Sequence, residues 1–295
     1  HDSLEVRELT RTFGDLTAVD AVTMTVPAGR MVGFVGGNGA GKTTTMRMIM
    51  GVLEPDQGTV TWGGEPVTLA TRATFGYMPE ERGLYPKQKV VDQLVYLARL
   101  RGVSAADARR DATAYLDQFG LGDRVSARLE TLSLGNQQRV QIIAAIMADP
   151  VLLVLDEPFS GLDPEAVDAM VSLLRGFTDR GVPVLFSSHQ LDLVERLCDS
   201  IVVLSRGRVV AAGTPDELRA TAPNRWRIAV GDDAEWVRTR PGLRVTEIRG
   251  NAAVVEPTSD EALQALLAEA VDRGTVWEFR KVLPSLSEIY RGVTT

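Results

Sequence analysis

The stretch GGNGAGKT at residues 36–43 leaves few options for the structure around it. It fits the spacing G-x-x-x-x-G-K-[ST] and lies directly between the apolar run MVGFV and the helical segment KTTTMRMIM. Gly36, Gly39 and Gly41 let the backbone curl so that successive N–H groups point at one centre. That concave nest, with the positive end of the following helix behind it, suits phosphate oxygens. Lys42 is placed to bridge a β- and a γ-phosphate, and the Thr43 hydroxyl to ligate Mg²⁺. Lysine occurs only at positions 42, 87, 89 and 281, which makes its presence in this loop informative.

A second stretch, VLLVLDEPFSGLD at 151–163, poses a problem that the first one solves. Its apolar run predicts a buried strand, yet the run ends on two adjacent acids, Asp156 and Glu157, with a third at Asp163. Like charges side by side repel, and burying them is costly without a cation or donors nearby. A magnesium nucleotide gives each acid its own partner. Asp156 would hold the metal, and Glu157 would face the attacking water as general base or orienter.

Short apolar runs (LEVRE, MVGFVG, TFGYM, VLLVL and VPVLFSS, then a hairpin in IVVLSRGRVVAAG) alternate with helical patterns, which predicts an α/β domain over residues 1–220. Residues from about 84 to 148 lack a clear strand and read as a helical subdomain. Within it, SAAD at 104–107 resembles a capping box opening a helix. Residues 221–295 change pattern. RWRIAV, LRVTEIR, AAVVEP and TVWEFRK read as strands, while DDAEWVRT and SDEALQALLAEAVDR read as helices. Gly250-Asn251 joins the middle strands as a tight hairpin. The order β-α-β-β-α-β predicts a small α+β, ferredoxin-like domain followed by a terminal helix, LPSLSEIYRGV.

The net charge of −7 provides no overall basic field for nucleic acid. The single cysteine, Cys198, excludes an internal disulfide, and its helical spacing from Leu191 and Val194 predicts a buried core thiol. The longest apolar stretch, IIAAIMA at 142–148, is far short of the roughly 18 residues needed to cross a bilayer. HDSLEVREL at the start has no signal-peptide pattern, so a cytoplasmic location is expected.

Together with these motifs, residues 4–220 resemble the nucleotide-binding subunit of an ABC transporter. The Walker A loop at 36–43 is followed by GYMPEERGLYP, similar to the Q-loop region, and by LSLGNQQ at 132–138, similar to the signature LSGGQ. LLVLDE at 152–157 resembles the Walker B strand, SGLD at 160–163 the D-loop, and SSHQ the segment carrying the switch histidine, His189. The resemblance implies a P-loop NTPase core of the ABC type that binds ATP and Mg²⁺ and hydrolyses ATP. The nucleotide would be held by Gly36, Gly37, Asn38, Gly39, Ala40, Gly41, Lys42, Thr43 and Thr44, with Phe13 stacked on adenine. Thr43, Glu80 and Asp156 would serve the metal, and Glu157, His189 and Lys42 the chemistry.

Members of this family dimerise head to tail around two ATP molecules, so Ser133, Gly135 and Asp163 would serve the nucleotide of a second ATPase subunit, identical or a close paralogue. The helix after Ser133 agrees with this, because its N-terminus would favour a facing γ-phosphate. Two positions depart from the family pattern: Leu134 replaces the third signature residue, usually Gly, and Glu80 replaces the Q-loop glutamine.

PEERGLYP, GNQQRV and the ending LPSLSEIY resemble the branch that pairs with separate permeases of the ABC-2 type, mostly exporters. This implies transmembrane permease subunits on other chains and a peripheral place on the inner face of the membrane. RGLYPKQKV is either a coupling surface for them or a solvated loop. The alternatives are a soluble ABC-type ATPase acting on ribosomes or DNA, and an importer subunit. One cassette, no sustained heptads and an acidic charge weigh against the first. The C-terminal domain has no catalytic constellation; it would strengthen a dimer or sense a ligand, with a packing role favoured over both, and only an exposed apolar face on helix 259–273 would favour dimerisation.

Overall fold

The computed structural model describes residues 2–81 and 83–294. The chain divides into two compact units, the first formed by residues up to Pro215 and the second by Asp216–Gly292. Strands of the first unit are β1 (Leu4–Phe13), β2 (Leu16–Val26), β3 (Met31–Gly36), β4 (Gln57–Trp62), β5 (Glu65–Pro66), β6 (Phe75–Met78), β7 (Leu152–Leu155), β8 (Val184–Ser188), β9 (Ser200–Ser205) and β10 (Arg208–Gly213). Its helices are α1 (Lys42–Ile49), α2 (Leu69–Ala73), α3 (Val90–Leu100), α4 (Ala105–Gln118), α5 (Leu134–Ile146), α6 (Pro164–Asp179) and α7 (Leu191–Leu197); α8 (Pro215–Ala220) follows.

Six strands form one sheet in the order β10-β9-β3-β8-β7-β6, parallel except for the β9–β10 hairpin. β3, β7 and β8 are buried along their whole length, as expected for strands covered on both faces. Parallel pairing brings the carboxyl ends of β3, β6, β7 and β8 to one edge. Ligands of open α/β sheets bind outside that edge.

A second, antiparallel sheet has the order β2-β1-β4-β5. Leu4, Val6 and Val22 from this sheet share a core cluster with Met46 and Ile49 of α1 and with Phe34, Val154 and Leu185 of the parallel sheet. The sequence reading missed β2, β4 and β5 and ended β1 at Glu8. Shifted register explains the miss. Left-handed backbone at Glu8 (φ 52°) and Ala21 (φ 51°) accompanies breaks in the β1–β2 ladder, so the alternation of period two that marks a strand is interrupted.

Residues 84–148 hold α3, α4 and α5 and, among the described residues, no strand beyond an isolated bridge between Lys89 and Arg128. Ser104 caps α4 as its spacing predicts, accepting from the Asp107 N–H at 3.1 Å. Cys198 is a correction in detail. α7 ends at Leu197 and Cys198 is extended, yet the thiol is buried, and that burial pushes its pKa far up.

The second unit holds β11 (Arg225–Val230), β12 (Leu243–Arg249), β13 (Ala252–Pro257), β14 (Val276–Val282), α9 (Asp260–Arg273) and α10 (Leu286–Thr294). Its sheet order, β12-β13-β11-β14 and antiparallel throughout, is that of a ferredoxin-like fold. The expected first helix is a short 3₁₀ segment, Glu235–Thr239. Leu266 and Ala270 of α9 pack on Ile228, Val230, Ala253 and Val255, so the apolar face of this helix is spent inside its own unit.

Candidate functional site

The loop after β3 turns tightly around its own lysine. Lys42 is buried, and its Nζ donates to the carbonyls of Gly36 at 2.7 Å and Gly37 at 3.3 Å. Gly41 precedes α1 with φ 104°, and a Cβ there would stand 2.6 Å from the Ala18 carbonyl, so no other residue fits. Thr45 donates to the Gly41 carbonyl at 2.8 Å, which fixes the first turn of α1.

Around this loop lies a cavity of about 410 Å³ lined by Asn38 to Thr44, Phe13, Leu16, Ala18, Glu80, Asp156 and Glu157. Phe13 is 47% exposed at its mouth, with the Arg11 guanidinium 5.0 Å from its ring centroid. Thr43 donates from its hydroxyl to Oε2 of Glu80 at 3.2 Å. Two residues expected to serve a metal therefore touch each other.

Asp156 is 1% exposed at the end of β7. Its Oδ1 accepts from the Ser187 hydroxyl, while Oδ2 is buried with no hydrogen-bond partner. The charge of Asp156 is felt by Tyr77, whose phenol is raised first by burial and then by this carboxylate. Glu157 follows with φ 52°, a left-handed conformation rare outside glycine. It is held from both ends: its N–H donates to Ser187 Oγ at 2.8 Å, and its carbonyl accepts from Gln138 Nε2 at 3.0 Å. Its Oε2 lies 3.0 Å from Nδ1 of His189.

Three carboxylates thus line the cavity against a single lysine. The unpaired buried oxygen of Asp156 shares this cavity with Thr43 and Glu80, and oxygen donors of this kind suit a hard cation such as Mg²⁺.

Ser133, Gly135 and Asp163 lie outside this cavity. Ser133 caps α5, accepting from the Asn136 N–H at 3.3 Å. A Cβ on Gly135 would lie 2.9 Å from the Gly161 carbonyl, so the signature turn abuts the D-loop. Asp163 caps α6 and lies 3.4 Å from the Arg139 guanidinium. Leu134 is 62% exposed.

Sequence reasoning missed Ser187, Gln138 and Gln141. Gln141 Nε2 donates to the Pro79 carbonyl at 2.7 Å and so supports the loop carrying Glu80. Gln138 closes the stretch LSLGNQQ and Ser187 opens SSHQ, but neither was given a role there, and Gln141 lies in no motif; their polarity next to apolar runs was the available signal.

Residues 19–160 match the family model described as ABC transporter, and residues 213–294 match the C-terminal domain of DrrA1-3-like ATP-binding proteins. Over 288 residues the chain is 38% identical to an uncharacterized ABC transporter ATP-binding protein, YhaQ, of Bacillus subtilis (strain 168), with 97% of each covered. The chain belongs to the ABC transporter ATP-binding family. As an ABC cassette it binds and hydrolyses ATP.

Other relatives of this ABC subunit carry export or resistance in their names. It is 33% identical over 276 residues to the Nod factor export ATP-binding protein I of Paraburkholderia xenovorans (strain LB400), covering 92% of this chain and 91% of the relative. It is 39% identical over 226 residues to the daunorubicin/doxorubicin resistance ATP-binding protein DrrA of Streptomyces peucetius, covering 74% and 67%. Among solved structures, an ATP-binding subunit of an ABC transporter superposes with a TM-score of 0.69 at 37% identity, covering 74% of this chain and 92% of that one. No helix among the described residues is long and apolar enough to cross a membrane.

Proposed function

We propose that this ABC subunit powers an exporter. In this reading it binds Mg-ATP, dimerises head to tail around it with a second copy or a close paralogue, and drives permease subunits on separate chains. Its place would be peripheral, on the inner face of the membrane. The observation that supports the proposal is that two sets of expected nucleotide-binding residues lie apart on one chain. The phosphate loop and both acids converge on one cavity, while exposed Ser133 and the Gly135 turn lie outside it. A nucleotide touching both sets must be shared between two subunits, and such a ligand stabilises the pair by mass action until it is hydrolysed.

In the proposed chemistry Lys42 leaves the carbonyls of Gly36 and Gly37 for the β- and γ-phosphates, and Phe13 stacks on adenine. Glu157 orients the attacking water and takes its proton. His189, tied to the same carboxylate, faces the γ-phosphate from the end of β8. Thr43, Asp156 and Glu80 would hold Mg²⁺, which supplies charge neutralisation of the triphosphate when bound. The names of the exporter-type relatives support the direction of transport.

The test uses Glu157→Gln to trap the ATP-bound state. The tagged full chain is expressed in its native host, membranes are solubilised in mild detergent with Mg-ATP, and co-purifying proteins are identified. Recovery of a polytopic membrane protein supports the transporter reading. Recovery of ribosomes or DNA-associated factors without a membrane protein sinks it.

A further inference from the structure

One buried hydroxyl touches both Asp156 and Glu157, and the sequence reading gave it no role. Ser187 is fully buried near the end of β8, one strand away from the acids. Its O–H donates to Oδ1 of Asp156, and its oxygen accepts the Glu157 backbone N–H at 2.8 Å. A serine hydroxyl has one proton and two lone pairs, so both bonds coexist without conflict. We propose that Ser187 is the positioning residue of the hydrolytic site, setting the metal-side acid and the water-side acid with one atom. The inference rests on the roles proposed above for Asp156 and Glu157.

Two consequences of the geometry support it. Tying Oδ1 fixes the carboxylate plane of Asp156, which leaves Oδ2 as its free, buried oxygen. A ligand whose orientation is set in advance loses less entropy on binding a cation, and losing such an outer contact typically costs about 10–100-fold in metal affinity or activity. The second consequence concerns strain. Left-handed backbone at a residue other than glycine persists only where its surroundings over-determine it. At Glu157 the surroundings are Ser187 on the N–H and Gln138 on the carbonyl. Release of the N–H would let the backbone relax and swing Oε2 away from His189 and from the water it is to activate.

The test compares two substitutions of nearly equal shape. Ser187→Thr keeps the hydroxyl, and Ser187→Val removes it; any crowding by the extra methyl is common to both, so the difference between them reports the hydroxyl. In the Glu157→Gln background, Mn²⁺ titration with ATP bound, read by electron paramagnetic resonance, gives cation affinity without turnover. With Glu157 present, steady-state kinetics give kcat and KM separately.

The expected result is a KM for ATP within about threefold for both variants, with kcat lower by about 10–100-fold for Ser187→Val than for Ser187→Thr. The Mn²⁺ affinity should fall in the same variant. Equal kcat and equal Mn²⁺ affinity in the two would overturn the inference. If Glu157→Gln alone left hydrolysis intact, the failure would lie in the assignment of the two acids and not in Ser187. A fall in kcat with a rise in KM and lost thermal stability, the same in both variants, would reduce Ser187 to a packing residue.

Discussion

The Nδ1 of His189 lies 3.0 Å from Oε2 of Glu157, linking the ends of two strands of the parallel sheet. Glu157 is largely shielded, its side chain 12% exposed, while that of His189 is 57% exposed. The histidine therefore stands on the open side of the carboxylate, where an incoming phosphate would arrive, and braces the acid from that side. An amide at position 157 could still pair with the ring but could not take a proton. Glu157→Gln is accordingly expected to bind ATP, to turn over very slowly, and to accumulate as an ATP-bound dimer seen by light scattering. A monomer at saturating Mg-ATP would defeat the homodimer model.

Lys42 spends its ammonium on two loop carbonyls, so its removal loosens the nest as well as deleting a phosphate contact. Lys42→Ala should abolish turnover and weaken binding of a fluorescent ATP analogue by at least tenfold, about 1.4 kcal/mol or more. Near-normal ATPase activity would refute the phosphate-site assignment.

Glu80 places a carboxylate at the edge of the phosphate cavity, where it accepts from Thr43 at 3.2 Å. Glu80→Gln removes one negative charge beside the proposed cation. The expected outcome is turnover retained, with a higher Mg²⁺ concentration for half-maximal rate. An unchanged Mg²⁺ requirement would mean that the charge at this position does not reach the metal.

Gly33 in β3 has a packing role. A Cβ there would lie 2.4 Å from Val194 and 2.8 Å from the Cys198 sulfur, both buried. Gly33→Ala should destabilise the first unit by about 1–3 kcal/mol through overpacking. Differential scanning calorimetry tests this; an unchanged unfolding temperature would show that α7 yields without cost.

Glu256 gives the second unit a pH dependence. Its pKa is held below the ordinary carboxylate value, first by the hydrogen bond from Arg225 and further by Arg244, against the opposing effect of burial. A depressed folded pKa means stability fully present above the unfolded value, about 4.3, and lost as pH falls through the folded one. Three of the four tryptophans (226, 236 and 277) lie in this unit, so their fluorescence reports its unfolding. Acid titration should show the unit losing stability below about pH 4.3, and Glu256→Gln should flatten that loss. Identical profiles for the two proteins would remove Glu256 from the acid response.

The loops that meet at the candidate site were legible as units because each is a contiguous run in which glycine, lysine and acids interrupt apolar strands. The phosphate loop, the two acids after β7 and the histidine after β8 could be read this way. The ferredoxin-like order was legible too, since its four strands are short runs separated by turn residues and its hairpin turn is two residues long. The antiparallel sheet was not, because the irregular register of β1 and β2 hides the alternation a reader needs.

By itself, then, the sequence determined the parts: which runs are strands, which loop suits phosphate, and which acids need a partner. Only the tertiary structure decided how they meet. Parallel pairing sets Ser187 against Asp156 across 31 residues of chain, and packing of α5 beside β6 sets Gln141 against Pro79 across 62. Local patterning is set by short-range sterics and hydrophobic period, which a sequence displays directly. Contacts of this span depend on strand order and register, and no local pattern encodes which buried hydroxyl will face which acid.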